Sequence, residues 1–275
     1  MKWEIVHRTQ YNYASPVSES FNEVRLHPVS DEWQHVDDFL LKILPATRLR
    51  HHRDFYSNIV HHFDIPEPHR MLSVESFLHL TTRARPPLPE TDTPFPLARI
   101  GEAAREARIF DFLQESRFVD LSPETWKLAL DAADEATDTW QASLAIMRFI
   151  HQRTKYEAKS TNVHTHMSDV LRDRRGVCQD FAHVMIGLCR ALKIPALYVS
   201  GYLATEIASA THAWVEVLIP GIGWRGLDPT HNRQTDETYV KIAVGRDYAD
   251  VPPVTGNYKG TTERKMEVSV KIKAN

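Results

Sequence analysis

Apolar residues fall on alternate positions through the first eighty-odd residues. Trp3, Ile5, Tyr11 and Tyr13 are separated by polar neighbours, and Phe39, Leu41 and Ile43 repeat the pattern. A period of two is that of a strand with one face toward a core. Pro16, Pro28, Pro45 and Pro66 interrupt this stretch, which predicts short strands joined by turns. No segment of helical period lies among them, so residues 1–84 are expected to form an antiparallel β domain. Residues 85–96 hold five prolines in twelve positions. That composition suits neither a helix nor a central strand and predicts a stiff connector.

Beyond it the period lengthens to that of a helix. Ser122 and Pro123 stand where an N-cap and a first helical residue would, ahead of Trp126, Leu128 and Leu130 in an alanine-rich run. Trp140, Leu144, Met147 and Ile150 keep helical spacing. Strand patterns return at Ala196–Leu203 and His212–Ile219, where Ala213, Val215 and Val217 alternate with Trp214 and Glu216. Met266, Val268, Val270 and Ile272 alternate with polar residues near the end, predicting a strand within 256–275 that pairs back onto a sheet. The whole reads as α+β: a β domain, then a mixed core over 97–255.

Charge and cysteine content narrow the function. The 275 residues carry 33 basic and 36 acidic side chains, a net charge of −3, without the basic excess of a polyanion binder. No apolar run approaches the roughly 18 residues of a membrane span. The opening Met-Lys-Trp-Glu-Ile-Val-His-Arg meets charge before any secretory apolar stretch forms, so a cytoplasmic location is expected. Two cysteines in such a chain are expected to be reduced thiols.

One of them sits where a thiol becomes reactive. Gly176 permits a tight turn, and the apolar run from Phe181 to Leu192 predicts a helix buried nearly all round. Cys178 falls in its first turn, where free backbone N–H groups and the positive dipole end favour an anion. The thiolate is the nucleophile, and the same N–H groups could stabilise an oxyanion. Such a thiol needs a base, and the base an orienting partner. His212 opens one strand; Asp228 follows the turn Pro220–Gly223 on what would be the adjacent strand, about 4.8 Å away. Cys189 is the contrast: eleven residues farther along the helix, or about 16 Å, it is too distant for a disulfide with Cys178 and reads as a core thiol.

These residues resemble the transglutaminase-like superfamily, in particular its bacterial branch described as cysteine proteases. The resemblance rests on Gly176-Val-Cys-Gln-Asp-Phe-Ala-His183, Ile194-Pro-Ala-Leu-Tyr-Val-Ser-Gly-Tyr202, His212-Ala-Trp-Val-Glu-Val217 and Gly223-Trp-Arg-Gly-Leu-Asp-Pro-Thr230. Thr9–Val17 and Val24–Pro28 look like that branch's N-terminal β region. The resemblance implies a papain-like core with Cys178 as nucleophile, His212 as base and Asp228 as orienter, acting on a peptide or protein amide through a thioester. It also offers Tyr156 as an aromatic that can assist the oxyanion; Gln179 and Asp180 are further candidates for the oxyanion or for support, Asp180 by complementing the helix dipole and fixing the nucleophile loop. No cofactor, metal, nucleic acid or membrane is expected. Water as acceptor would make a peptidase or amidase, and an amine would make a transferase.

Two readings of another class compete with it. A retired enzyme could use the cleft to bind a peptide or protein partner, but would not require all three residues. A metal-dependent hydrolase could use His51-His52, His61-His62 or His164 and His166, but adjacent strand residues face opposite ways and offer too few ligands together. Glu216 could support His212 from behind or be a solvated strand residue. Asp180 and His183 share a helix face, and Arg172–Arg175 reads as a solvated run of charge.

Overall fold

The computed structural model describes residues 1–89, 96–103, 107–204, 211–260 and 263–275. Residues 90–95 of the expected connector, and Ser209 in the polar loop ahead of His212, lie outside them. The N-terminal region is formed by β1 (Lys2–His27), β2 (Gln34–Leu44), β3 (Arg50–Arg53), β4 (Ile59–Ile65) and β5 (His69–Thr82). The second region contains α1 (Ile100–Ala103), α2 (Pro123–Ala133), α3 (Thr139–Arg153), β6 (Lys155–Tyr156), α4 (Met167–Asp173), β7 (Arg175–Gly176) and α5 (Cys178–Ala191). It continues through β8 (Ala196–Leu203), β9 (His212–Ile219), β10 (Gly223–Asp228), β11 (Arg233–Gln234) and β12 (Tyr239–Gly245). The chain returns to the N-terminal sheet with β13 (Val254–Lys259) and β14 (Arg264–Ala274).

The first strand corrects the expectation of short runs cut at every proline. β1 continues for 26 residues through Pro16. Its first half pairs with β5 and β14, and its second half with β4 and β13. Pro16 lies at the changeover, where the register against β5 shifts between Asn12 and Val17. A missing N–H costs least where a ladder is already interrupted. The resulting curled sheet encloses Tyr11, Tyr13, Val24, Leu41, Phe63 and Leu72. β14 also departs from its pattern: Val270 is buried, while Met266 and Val268 are exposed, because little but β1 lies against that end.

The five-stranded sheet runs β11-β10-β9-β8-β12, with every neighbouring pair antiparallel. Val215, Val217 and Leu227 on one face meet α5, α3 and α2 in the largest core cluster. Ser122 caps α2 and Pro123 opens it, but Trp126 and Leu130 point outward; Thr125, Ala129, Ala132 and Ala133 make the buried face, where small side chains let the helices approach. The stripe Trp140, Leu144, Met147 and Ile150 on α3 is buried, as is nearly every residue of α5 after Gln179. Trp3, Ile5, Leu78 and Leu80 of the N-terminal sheet pack on Tyr202, Val240 and Ile242, joining the two sheets. Among the described residues no helix is long and apolar enough to cross a membrane.

Candidate active site

Cys178 is the first residue of α5 and is half-buried. α4 ends at Arg174 in the left-handed conformation, and the chain then forms β7, parallel to β6. Gly176 is required there: an added Cβ would lie 2.8 Å from the Cβ and Oδ2 of Asp180. The Asp180 carboxylate accepts the Val177 backbone N–H at 2.7 Å and the Thr161 hydroxyl at 2.5 Å. Burial raises the Asp180 pKa, and these two hydrogen bonds oppose the rise. Asp180 thus caps the helix and ties its first turn to the 161 loop. Backbone N–H groups of that turn have no intrahelical acceptor, and Cys178 stands at that end of the helix.

The β9–β10 hairpin, in register from Gly223↔Ile219 to Leu227↔Val215, places His212 and Asp228 side by side. His212 Nε2 donates to Asp228 Oδ2 at 2.7 Å. The other ring nitrogen is left for Cys178, whose interaction also acts on the imidazole. Burial alone would lower the imidazole pKa, but the hydrogen bonds and negative charges of Asp228 and Cys178 raise it to about 9. Asp228 is wholly buried. Its Oδ2 also accepts from His231 Nδ1 at 2.8 Å and the Tyr239 hydroxyl at 2.7 Å, and its Oδ1 accepts the backbone N–H groups of Thr230 and His231 at 2.8 and 3.3 Å. Burial would raise the carboxyl pKa, yet these donors hold it far below the ordinary range.

Cys178, His212 and Asp228 therefore meet, and the other expected residues divide. Tyr156 is half-exposed, pairs with Gly176 through β6 and β7, and lies near enough to Cys178 that its pKa rises, first through burial and then through the thiolate's charge. The Gln179 side chain turns to the Val163 carbonyl at 3.4 Å. Glu216 is neither solvated nor behind His212. It is buried in an ion pair with Lys241 at 2.9 Å, because the packed N-terminal sheet closes over that face and Asp31 also reaches Lys241. His183 is fully buried against Phe118 and Tyr198 and accepts the Tyr248 N–H; burial lowers its pKa to about 3. Arg172 is exposed and pairs with Asp169 and Asp173. The histidine doublets lie on the β3–β4 hairpin, His51 against His61 and His52 against His62.

His231 and Tyr239 are the residues that sequence reasoning missed. His231 had a local signal, three positions after Asp228 in the turn beyond β10. Tyr239 had none, since β12 reaches the carboxylate only through the folding of the sheet. Trp214 lines the same wall, stacked on His212 at 6.2 Å and edge-on to Tyr239 at 5.3 Å. Its ring passes so close to β8 that a Cβ on Gly201 would lie 2.6 Å from it and 2.2 Å from the Val240 carbonyl oxygen. Gly201→Ala should therefore cost about 1–3 kcal/mol, the usual range for overpacking. The denaturant midpoint measures it, and an unchanged midpoint would show that β8 yields freely.

The family model for the bacterial transglutaminase-like N-terminal region matches residues 3–80, and that for the transglutaminase-like superfamily matches residues 127–229. An uncharacterized protein of Mycobacterium leprae (strain TN) is 32% identical over 279 residues, covering 98% of both chains. A protein-glutamine gamma-glutamyltransferase of Pseudomonas aeruginosa is 35% identical over 132 residues, which span 42% of this chain and 20% of that one. The solved structure of a "Putative Cysteine Protease" from Cytophaga hutchinsonii superposes with a TM-score of 0.79 at 26% identity, covering 100% of this chain and 91% of that one. The two matched regions coincide with the curled N-terminal sheet and with the core that carries Cys178, His212 and Asp228. The chain belongs to the transglutaminase-like superfamily, in the bacterial branch that carries this N-terminal region.

Proposed function

We propose that the protein is a thiol-dependent acyl-transfer enzyme that opens a peptide or protein amide through Cys178. The observation that carries this reading is the His212 imidazole held between a buried, ionised Asp228 and a thiol at a helix N-terminus. A binding cleft has no need to pair those three groups.

In this mechanism the Cys178 thiolate attacks the amide carbonyl carbon, and the first-turn N–H groups take the developing oxyanion. The tetrahedral intermediate collapses as the His212 imidazolium gives its proton to the leaving nitrogen. An amine or ammonia departs and a thioester remains on Cys178. His212, neutral again, removes a proton from the second nucleophile, which attacks the thioester; the thiolate leaves and the imidazolium is restored. Asp228 keeps the ring oriented with Nε2–H toward itself and Nδ1 toward the reaction, and stabilises its charge. Tyr156 stands beside the thiol on the solvent side, suited to a hydrogen bond with the oxyanion. Water is the acceptor we favour, because an open cleft always supplies it; acceptor choice follows from how the cleft excludes water.

The test is alkylation by iodoacetamide against pH, with labelled sites identified by mass spectrometry on chelator-treated protein. Cys178 should label selectively below pH 7. His212→Ala should slow this and move labelling toward the range of a free thiol, about 8.5. Buried Cys189, whose pKa burial pushes up to about 12, should remain unlabelled. Equal sluggishness of both thiols in the wild type would sink the enzyme reading and leave a binding module.

A further inference from the structure

We propose that His212, Asp228 and His231 form a binding site for a borderline-soft divalent cation, represented by Zn2+, that can hold the catalytic pair in an inactive state. The histidine doublets on the β3–β4 hairpin do not supply such a set. Among the described residues, the one group of three or more potential ligands gathered closely enough is His212, Asp228 and His231, whose donor atoms all lie within 4.8 Å of one another. On a tetrahedral ion with ligand bonds of about 2.0–2.1 Å, two donor atoms stand about 3.3 Å apart. The His212 Nε2–Asp228 Oδ2 and His231 Nδ1–Asp228 Oδ2 distances are 2.7 and 2.8 Å. Small side-chain rotations open that space. Two imidazoles and a carboxylate suit zinc, and three protein ligands leave a fourth position for water.

The surroundings also match what a metal ligand set needs. Tyr239 can keep its hydrogen bond to the Asp228 carboxylate, and Trp214 stacks on the His212 ring. Partners of this kind fix the orientation of ligating groups. The His231 side chain is 46% exposed while that of Asp228 is 0% exposed, so the ion has an entry route at the His231 edge. Binding displaces the Nε2 proton of the His212 imidazolium to solvent, and the single ring proton of His231 shifts from Nδ1 to Nε2.

The inhibitory consequence rests on the thiol reading; the binding does not. A zinc-bound imidazole releases its remaining proton far less readily than an imidazolium does. His212 would then be unable to act alternately as acid and base. Cys178 is not a ligand in this arrangement, because it is not among the donors gathered there.

Zinc alone should be titrated into metal-free protein in competition with a chromogenic chelator. Wild type and Cys178→Ala are expected to bind one zinc with essentially the same affinity. His231→Ala should weaken that site at least about ten-fold, since it removes a direct ligand and even an outer partner is worth 10–100-fold. His231→Gln, a second variant that keeps a side chain able to donate to Asp228, should lose zinc equally, and circular dichroism would verify that both fold. The proposal is overturned if His231→Ala binds as tightly as wild type, if Cys178→Ala is the variant that loses zinc, or if no saturable site is found. Zinc binding that meets these expectations in a protein whose Cys178 shows no activated alkylation would support the site and remove the enzyme reading instead.

Discussion

Replacing Cys178 with alanine should abolish turnover while leaving the fold intact. The probe is p-nitrophenyl acetate, which acylates any activated thiol and releases a coloured product. Wild type should show a burst equal to the enzyme concentration, followed by a slower steady state as water attacks the thioester. In Cys178→Ala the burst should vanish and the steady rate fall by about 10^4-fold or more, the scale on which loss of a nucleophile acts in acyl-transfer triads. Stability should change by less than about 1 kcal/mol, because a half-buried residue at a helix N-terminus is replaced by a good helix former. A retained burst would place the nucleophile elsewhere and end the assignment.

Asp228→Asn should damage both rate and stability. The carboxylate accepts five hydrogen bonds with no exposure to solvent. Asparagine fits the space but presents an NH2 group to some of those donors. Leaving buried donors unmatched costs about 1–3 kcal/mol each. The rate should fall by about 10^3–10^4-fold, because an amide neither selects the reactive orientation of the imidazole nor stabilises its charge.

The pH dependence gives an independent sign. His212 has its folded pKa raised from 6.5 to about 9, so its stabilising contribution is complete below about 6.5 and is lost as pH rises through about 9. Asp228 has its folded pKa lowered, so its contribution is complete above the usual carboxylate value of about 3.9 and is lost as pH falls toward the depressed one. The pair therefore stabilises the protein most between about pH 4 and 6.5. Urea unfolding across pH should show that plateau in wild type and a flatter profile in Asp228→Asn. The onset of Cys178 alkylation should also move up in pH in the variant, because without the Asp228 charge the imidazolium that stabilises the thiolate is lost at a lower pH. Identical profiles would mean that Asp228 does not control the imidazole.

The recognisable parts of the sequence were those set by local rules. Period-two patterning marked β1 and β2, the Ser122–Pro123 cap marked the start of α2, and a continuous apolar run marked α5 as a buried helix that opens at Cys178. The His212 strand and the turn before Asp228 could be read the same way, since two adjacent strands bring their ends together whatever else the chain does. Other features depended on contacts distant in sequence. Pro16 lies inside one long strand because the two halves of β1 serve different neighbours. Glu216 is paired because Lys241 and Asp31 arrive from elsewhere.

The sequence by itself determined which segments could be strand or helix, where the thiol meets the positive end of a helix, and which histidine and aspartate lie on neighbouring strands. Only the tertiary structure decided how the carboxylate is held. Tyr239 reaches it from β12, His231 folds back onto it from the next turn, and the packed sheet excludes water from all but the exposed edge. The physical reason is that propensity, capping and periodicity act within a few residues. Burial, ion pairing and the sharing of one carboxylate among three donor side chains depend on segments that come together only when the cores close.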